Sequence, residues 1–276
     1  MLRRKPLSRV LWQAVGAVVL LISVFPLFYL VINSLKPFRE VMVSFISLPQ
    51  EPTLEGFSRG WQALDVSRTL FNSFFITTMG VAGITLMASL AAYKLARTKK
   101  WYSTVIFYTI AFSMIVPFHT LMIPLARLHG QLGTLSTHFS VIFTYWGVDV
   151  TFAIFIMHGF VKGVPIAFED AAIVDGCGPF RLFFQIVFPM LRPIIATIAV
   201  LQGMWFWNDF LLPMIMLRRP QVMTIPVAMY SLWGEWTADW PAIFGAIIIA
   251  ITPILIFFFA MQRHIVRGIS QGGVKG

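Results

Sequence analysis

The chain has 276 residues, 58% of them apolar and only 12% charged, with a mean hydropathy of +0.81. That balance exceeds what a soluble core requires and excludes both a disordered chain and an ordinary water-soluble domain. The formal net charge of +10 comes as short basic clusters beside apolar runs instead of one continuous basic face, which argues for membrane topology and against nucleic acid.

A membrane-spanning helix needs about 20 mainly apolar residues. Six stretches qualify: about 10–33, 70–93, 102–125, 138–160, 193–217 and 241–262. Lipid offers backbone groups no hydrogen-bond partner, so stretches of this length read as helices, and the alternation of a barrel strand is missing. The first follows Arg3-Arg4-Lys5 but is longer than a signal-peptide core and lacks an A-x-A-like cleavage site, so it reads as a retained anchor. Between the first and second spans, an outer connection from about Ser34 to Thr69 carries Trp61 and mixed charges. Pro26, Pro117, Pro213 and Pro253 fall inside spans, where neighbouring groups can re-satisfy freed carbonyls, so kinks and not helix ends are expected. Trp101, Trp236 and Trp240 lie near segment ends and read as interfacial anchors.

Charge sets the orientation. The N-terminus, the second and fourth connections and the tail hold 14 Lys and Arg, among them Arg3, Lys94, Arg97, Lys162 and Arg263, while the other three connections hold seven. By the positive-inside rule, both termini and the fourth connection, about 161–192, are expected in the cytoplasm.

That fourth connection contains a polar, glycine-broken island between two apolar segments, EDAAIVDGCGPFRLFFQIVFPMLRP from Glu169 to Pro193. The stretch from Ile166 to Val174 suffices for about two helical turns. Gly176 then permits a reversal, and Gly178-Pro179 has the form of a helix start with proline at the first position. The next helix would present Phe180, Phe183, Phe184 and Val187 on one face towards bundle or lipid.

The joint spacing of Asp170, Ala171, Ala172, Gly176, Ile186 and Pro189 resembles the cytoplasmic coupling motif of binding-protein-dependent ABC importer permeases, in which an E-A-A triplet precedes a glycine and, after nine residues, I-x-L-P. Asp170 replaces the usual Glu, with Glu169 directly before it, and Phe188 replaces Leu. Ser34-Leu35-Lys36-Pro37, Trp207-Asn208-Asp209-Phe210-Leu211 and the terminal Gly273-Val274-Lys275-Gly276 are similar to the carbohydrate-uptake, maltose-type branch.

This resemblance implies an all-α, polytopic type I ABC importer permease fold with six transmembrane helices, spread over a single domain, 1–276. It implies a bacterial or archaeal plasma membrane and, as partners, a second related permease, two ATP-binding subunits that carry ATP and Mg, and an extracytoplasmic solute-binding protein. This chain itself would bind no cofactor. Glu169, Asp170, Ala171, Ala172, Asp175, Gly176, Ile186 and Pro189 become the expected ATPase-coupling residues, and Gly273, Val274, Lys275 and Gly276 an ATPase-contacting tail.

No G-x-x-x-x-G-K-[ST] loop occurs, so the chain reads as no nucleotide-binding subunit. Neither a Ser/His/Asp nor a Cys/His grouping suggests nucleophilic catalysis, and the five histidines are scattered without metal-ligand spacing. Cys177 is the only cysteine, which precludes an intrachain disulfide. The runner-up reading is an ion-coupled secondary transporter using Asp149 and Asp209, two carboxylates read as lying towards the outer ends of their spans. A further site is the face of the fifth span formed by Trp205, Asn208 and Asp209 at i, i+3 and i+4, where an indole and polar oxygens suit a sugar.

Overall fold

A computed structural model describes residues 6–232 and 239–272, with side chains at 10–232 and 239–260. Among the described residues every regular element is helical. Backbone contacts divide the chain into two compact units, residues 1–66 with 229–253 and residues 67–228 with 254–276.

In the first unit, α1 (Pro6–Ser34) is apolar around its whole circumference, and only 6% of its most apolar window is buried within the chain. A helix of that kind is built for lipid or for another subunit. After α1, Lys36 is fully buried; its ammonium donates to Asn33 Oδ1 at 3.1 Å and to the Ser44 carbonyl at 3.0 Å. Burial lowers its pKa, opposed by the charge of Glu40. Short helix α2 (Phe38–Val43) follows, then α3 (Glu55–Ala63). Gly56 and Gly60 of α3 let its backbone approach the chain at Pro241, Ala242 and Ala246 so closely that a Cβ would sit 2.6 to 2.9 Å from backbone atoms there. Beside this contact the Arg59 guanidinium donates to Asp239 at 2.6 Å, and this bond, outweighing partial burial, raises the arginine's pKa.

The second unit holds the larger core. Its long helix α4 (Val66–Arg97) contributes Ile76, Ile84, Ala88 and Ala92. Around these pack α5 (Trp101–Ser113), α6 (Phe118–Gln131), α7 (His138–Val148), α8 (Val150–Gly163), α9 (Ala167–Val174), α10 (Pro179–Met190), α11 (Arg192–Asn208) and α12 (Leu211–Met216). Gly83 makes room for the Trp146 indole, whose Nε1 donates to the Met79 carbonyl at 3.1 Å. Tyr145 and Phe206 stack at a centroid distance of 3.8 Å. Asn72 and Ser73 bond backbone groups at Gln221, Met223 and Ile225, fixing the approach to α13 (Ile225–Ser231).

Three of the expected spans are single helices long and apolar enough to cross a membrane: Val10–Ser34, Val66–Arg97 and Trp240–Ala260, the last within α14 (Trp240–Gly272). Two others are bent pairs, α5 with α6 at 96° and α7 with α8 at 42°, while α11, which opens the fifth expected span, is bent by 70° from α10 of the fourth connection. Pro26 and Pro253 sit inside continuous helices.

Pro117 departs from the expected kink. Helix α5 stops at Ser113 and Pro117 is the cap of α6, because proline has no N–H to extend a ladder and disfavours helical geometry in the residue before it. The fifth expected span, 193–217, is also not one helix. It ends at Asp209, which is extended at ψ 126°, and Pro213 cannot donate the bond that would carry the helix past the Asp209 carbonyl. Asp149 lies between the eleven residues of α7 and the fourteen of α8, hence near the middle of its span and not towards the outer end.

Candidate functional site

The Glu169–Pro193 island folds as two short helices about a tight turn. Helix α9 carries Glu169 and Asp170 in its first turn, where carboxylates complement the helix dipole. The two point to different environments. Glu169 is buried, its Oε1 accepting from the Arg97 guanidinium at 2.7 Å and its Oε2 from the Tyr93 hydroxyl at 2.7 Å. Arg97 also donates to the Val164 carbonyl at 2.8 Å, so one guanidinium at the end of α4 holds both the chain entering α9 and α9 itself. Asp170 is exposed, as are Ala171, Ile173, Val174 and Asp175, while Ala172 is buried.

Helix α9 ends in a Schellman arrangement. The Cys177 N–H bonds to the Ala172 carbonyl at 2.9 Å and the Gly176 N–H to the Ile173 carbonyl at 3.0 Å. This closure requires a left-handed residue at Gly176, which has φ +81°. Pro179 then opens α10 at its first position. From Leu182 to Val187 the helix is π-wound; the wider turn separates the expected four-residue face. Phe183 and Val187 are buried, whereas Phe180 and Phe184 are exposed. Ile186 and Pro189 are partly buried.

Exposed Ile166, Phe168, Ile173 and Val174 accompany Asp170 on and just before α9. The polar connection thus leaves four large apolar side chains uncovered within the chain. Tyr93 and Arg97 escaped the sequence reading, in which Arg97 served only as a topological charge. Their spacing of four residues puts them on one face of α4, but nothing local names a partner 72 or 76 residues away. Gly273, Val274, Lys275 and Gly276 lie outside the described residues, as does Trp236.

At the other candidate site, Trp205 and Asn208 are exposed on α11, and the Asn208 amide donates to the Met204 carbonyl at 2.7 Å. Asp209 does not continue their face, because the helix ends there. Its Oδ2 accepts from the Tyr145 hydroxyl at 2.9 Å and its Oδ1 from the Leu211 N–H at 3.1 Å.

The family described as "Binding-protein-dependent transport system inner membrane component" matches residues 84–271, which include the α9 turn. The chain belongs to this family. Over 274 residues, covering 99% of this chain and all of the relative, it is 32% identical to the probable starch degradation products transport system permease protein AmyC of Thermoanaerobacterium thermosulfurigenes. It is 31% identical to the melibiose/raffinose/stachyose import permease protein MelC of Bacillus subtilis, with 95% of each chain covered. To the multiple sugar-binding transport system permease protein MsmG of Streptococcus mutans it is 32% identical, over 95% of this chain and 94% of the relative.

Among solved structures, a chain of a bacterial ABC transporter involved in the import of the acidic polysaccharide alginate superposes with a TM-score of 0.80 at 22% identity, over 95% of this chain and 99% of that one. The fold is that of an ABC importer permease. The protein is therefore a multi-pass inner-membrane transport subunit and not an enzyme, working in general with a permease partner, an ATPase and a solute-binding protein. Family membership also removes the ion-coupled secondary transporter.

Proposed function

We propose that this permease, as a single transmembrane domain over 1–276, forms half of the translocation pathway of an ATP-driven carbohydrate importer. The observation that carries the substrate class is the run of relatives at 31–32% identity and near-complete coverage whose names specify starch degradation products, raffinose-type sugars and multiple sugars. A second, related permease completes the pathway, two ATPase subunits bind ATP and Mg, and an extracytoplasmic binding protein delivers the solute.

In this reading both termini and the island are cytoplasmic, as the cation asymmetry argues. Asp170, Ala171, Asp175 and the exposed apolar residues of α9 meet the ATPase, while Glu169 and Ala172 face inward and fix the helix. Ile186 and Pro189 support α10 behind it. Gly273, Val274, Lys275 and Gly276 reach the ATPase pair, and Trp205 and Asn208, with Asp209 behind them, border the outer part of the sugar path.

The test is co-purification followed by transport. A tagged chain should recover a second permease and an ATPase, and the complex in proteoliposomes should take up a labelled oligosaccharide only with ATP inside and its binding protein outside. ATP-independent uptake, or a complex that carries no carbohydrate, would refute the reading.

A further inference from the structure

Two mid-span breaks in the second unit line one cavity. The first, 114–117, separates α5 from α6, and the second is Asp149 between α7 and α8. The space is a half-open groove of about 390 Å³, a volume within the range of small-molecule sites. Non-helical backbone at membrane depth is tolerated only where it is buried in protein or lines a water-filled cavity. The same holds for a carboxylate, which at the bilayer centre costs about 2.5 to 3.5 kcal/mol and faces a cavity or a partner. Asp149 lines this space, and among the described residues its carboxylate receives no hydrogen bond; only its backbone carbonyl does, from Gln202 at 3.3 Å.

The neighbouring hydroxyls sharpen the chemistry. Ser113 donates its proton to the Ile110 carbonyl at 2.7 Å and Thr151 to the Val148 carbonyl at 3.0 Å, and both residues line the same cavity. With their protons committed the two hydroxyls offer lone pairs, as do the Asp149 oxygens, so the polar lining is rich in acceptors. Phe118 and Phe152 supply apolar surface. An acceptor set beside aromatic walls fits a neutral solute that brings hydroxyl donors and C–H faces. A metal ion would need several more oxygen ligands than one carboxylate and two hydroxyls provide.

We infer that Asp149, with Ser113 and Thr151, forms a mid-membrane subsite that accepts hydrogen bonds from the hydroxyls of the transported carbohydrate. This rests on the carbohydrate reading above. It gives the permease a direct contact with solute at the two helix breaks, separate from Trp205 and Asn208.

The experiment uses the complete importer in proteoliposomes with its binding protein, and labelled raffinose and maltotriose as probes. In Asp149→Leu, uptake of whichever sugar the wild type carries should fall about tenfold or more, at normal subunit stoichiometry and with basal ATP hydrolysis intact. Asp149→Asn, which keeps shape and one acceptor oxygen, should retain part of the uptake. Unchanged uptake in Asp149→Leu overturns the subsite, as does loss of subunit assembly in both variants or a loss of transport restored by raising sodium. A wild-type importer that carries these or other neutral sugars while the variants behave normally leaves the carbohydrate reading standing and removes only the subsite. Absence of carbohydrate uptake in the wild type removes both.

Discussion

Arg97 donates to Glu169 across 72 residues of chain at 2.7 Å, with side chains only 16% and 8% exposed. Through this pair the end of α4 determines where α9 sits, and the adjacent Asp170 is left free to face outward. The tandem of acidic residues at the start of α9 therefore divides between a buried anchor and an exposed carboxylate.

Removing one partner of a buried pair strands the other charge, at a cost of about 3 to 5 kcal/mol. Arg97→Met should thus lower the melting temperature of the detergent-solubilised permease and reduce ATPase recovery together. Asp170→Asn should reduce recovery with melting unchanged. The double variant Arg97→Met/Glu169→Leu should regain part of the stability, since the stranded carboxylate is gone. If Arg97→Met melts like the wild type, the anchor is not holding α9.

At Gly176 the left-handed φ and the open surroundings separate two effects. A Cβ there meets nothing within 4 Å, so the intrinsic penalty of a side chain is conformational, about 1 to 2 kcal/mol. Asn tolerates this region better than Ala or Val. Uptake should fall in the order Asn, Ala, Val, with Gly176→Val close to inactive though still inserted in the membrane. Normal uptake and ATPase stoichiometry in Gly176→Val would show that the turn has no part in coupling.

Cys177, half-exposed and next to that turn, reports sidedness without any engineered probe. An impermeant maleimide should label it in inside-out vesicles, and bound ATPase should slow the reaction. Labelling of intact cells from outside would reverse the orientation argued from the cations and remove the coupling assignment with it.

What the sequence made legible follows from the range of the forces involved. Helix α9, the Gly176 reversal and the Pro179 start depend on neighbours within a few residues, and each was readable from residue type alone. Hydropathy located the apolar segments but is blind to backbone breaks inside them. It could not register that Pro117 would end a helix while Pro26 would not, since that depends on whether surrounding helices accommodate the bend. Long-range pairing was hidden for a different reason. Arg97 with Glu169 and Tyr145 with Asp209 are joined only by the packing of α4 with α9 and of α7 with the end of α11, and no local pattern announces them. The supposed face of Trp205, Asn208 and Asp209 assumed an uninterrupted helix, and the break at Asp209 removed its last member.

That break leads to a prediction that separates the three residues. Both Asp209 oxygens are engaged, one by Tyr145 and one by the Leu211 N–H, so the carboxylate joins α7 to the start of α12, and Tyr145 is itself fully packed against Phe206. Loss of a buried charge-assisted hydrogen bond costs about 1.5 to 3 kcal/mol. Asp209→Ala and Tyr145→Phe should each lower the melting temperature, with a combined effect smaller than the sum because they share one bond. Trp205→Ala, at an exposed indole, should leave melting unchanged and alter uptake or the preference between two sugars. The comparison is made by thermal unfolding in detergent alongside proteoliposome uptake. Additive losses at Asp209 and Tyr145 would dissolve the proposed joint, and a Trp205→Ala variant that transports every tested sugar normally would take the indole off the pathway.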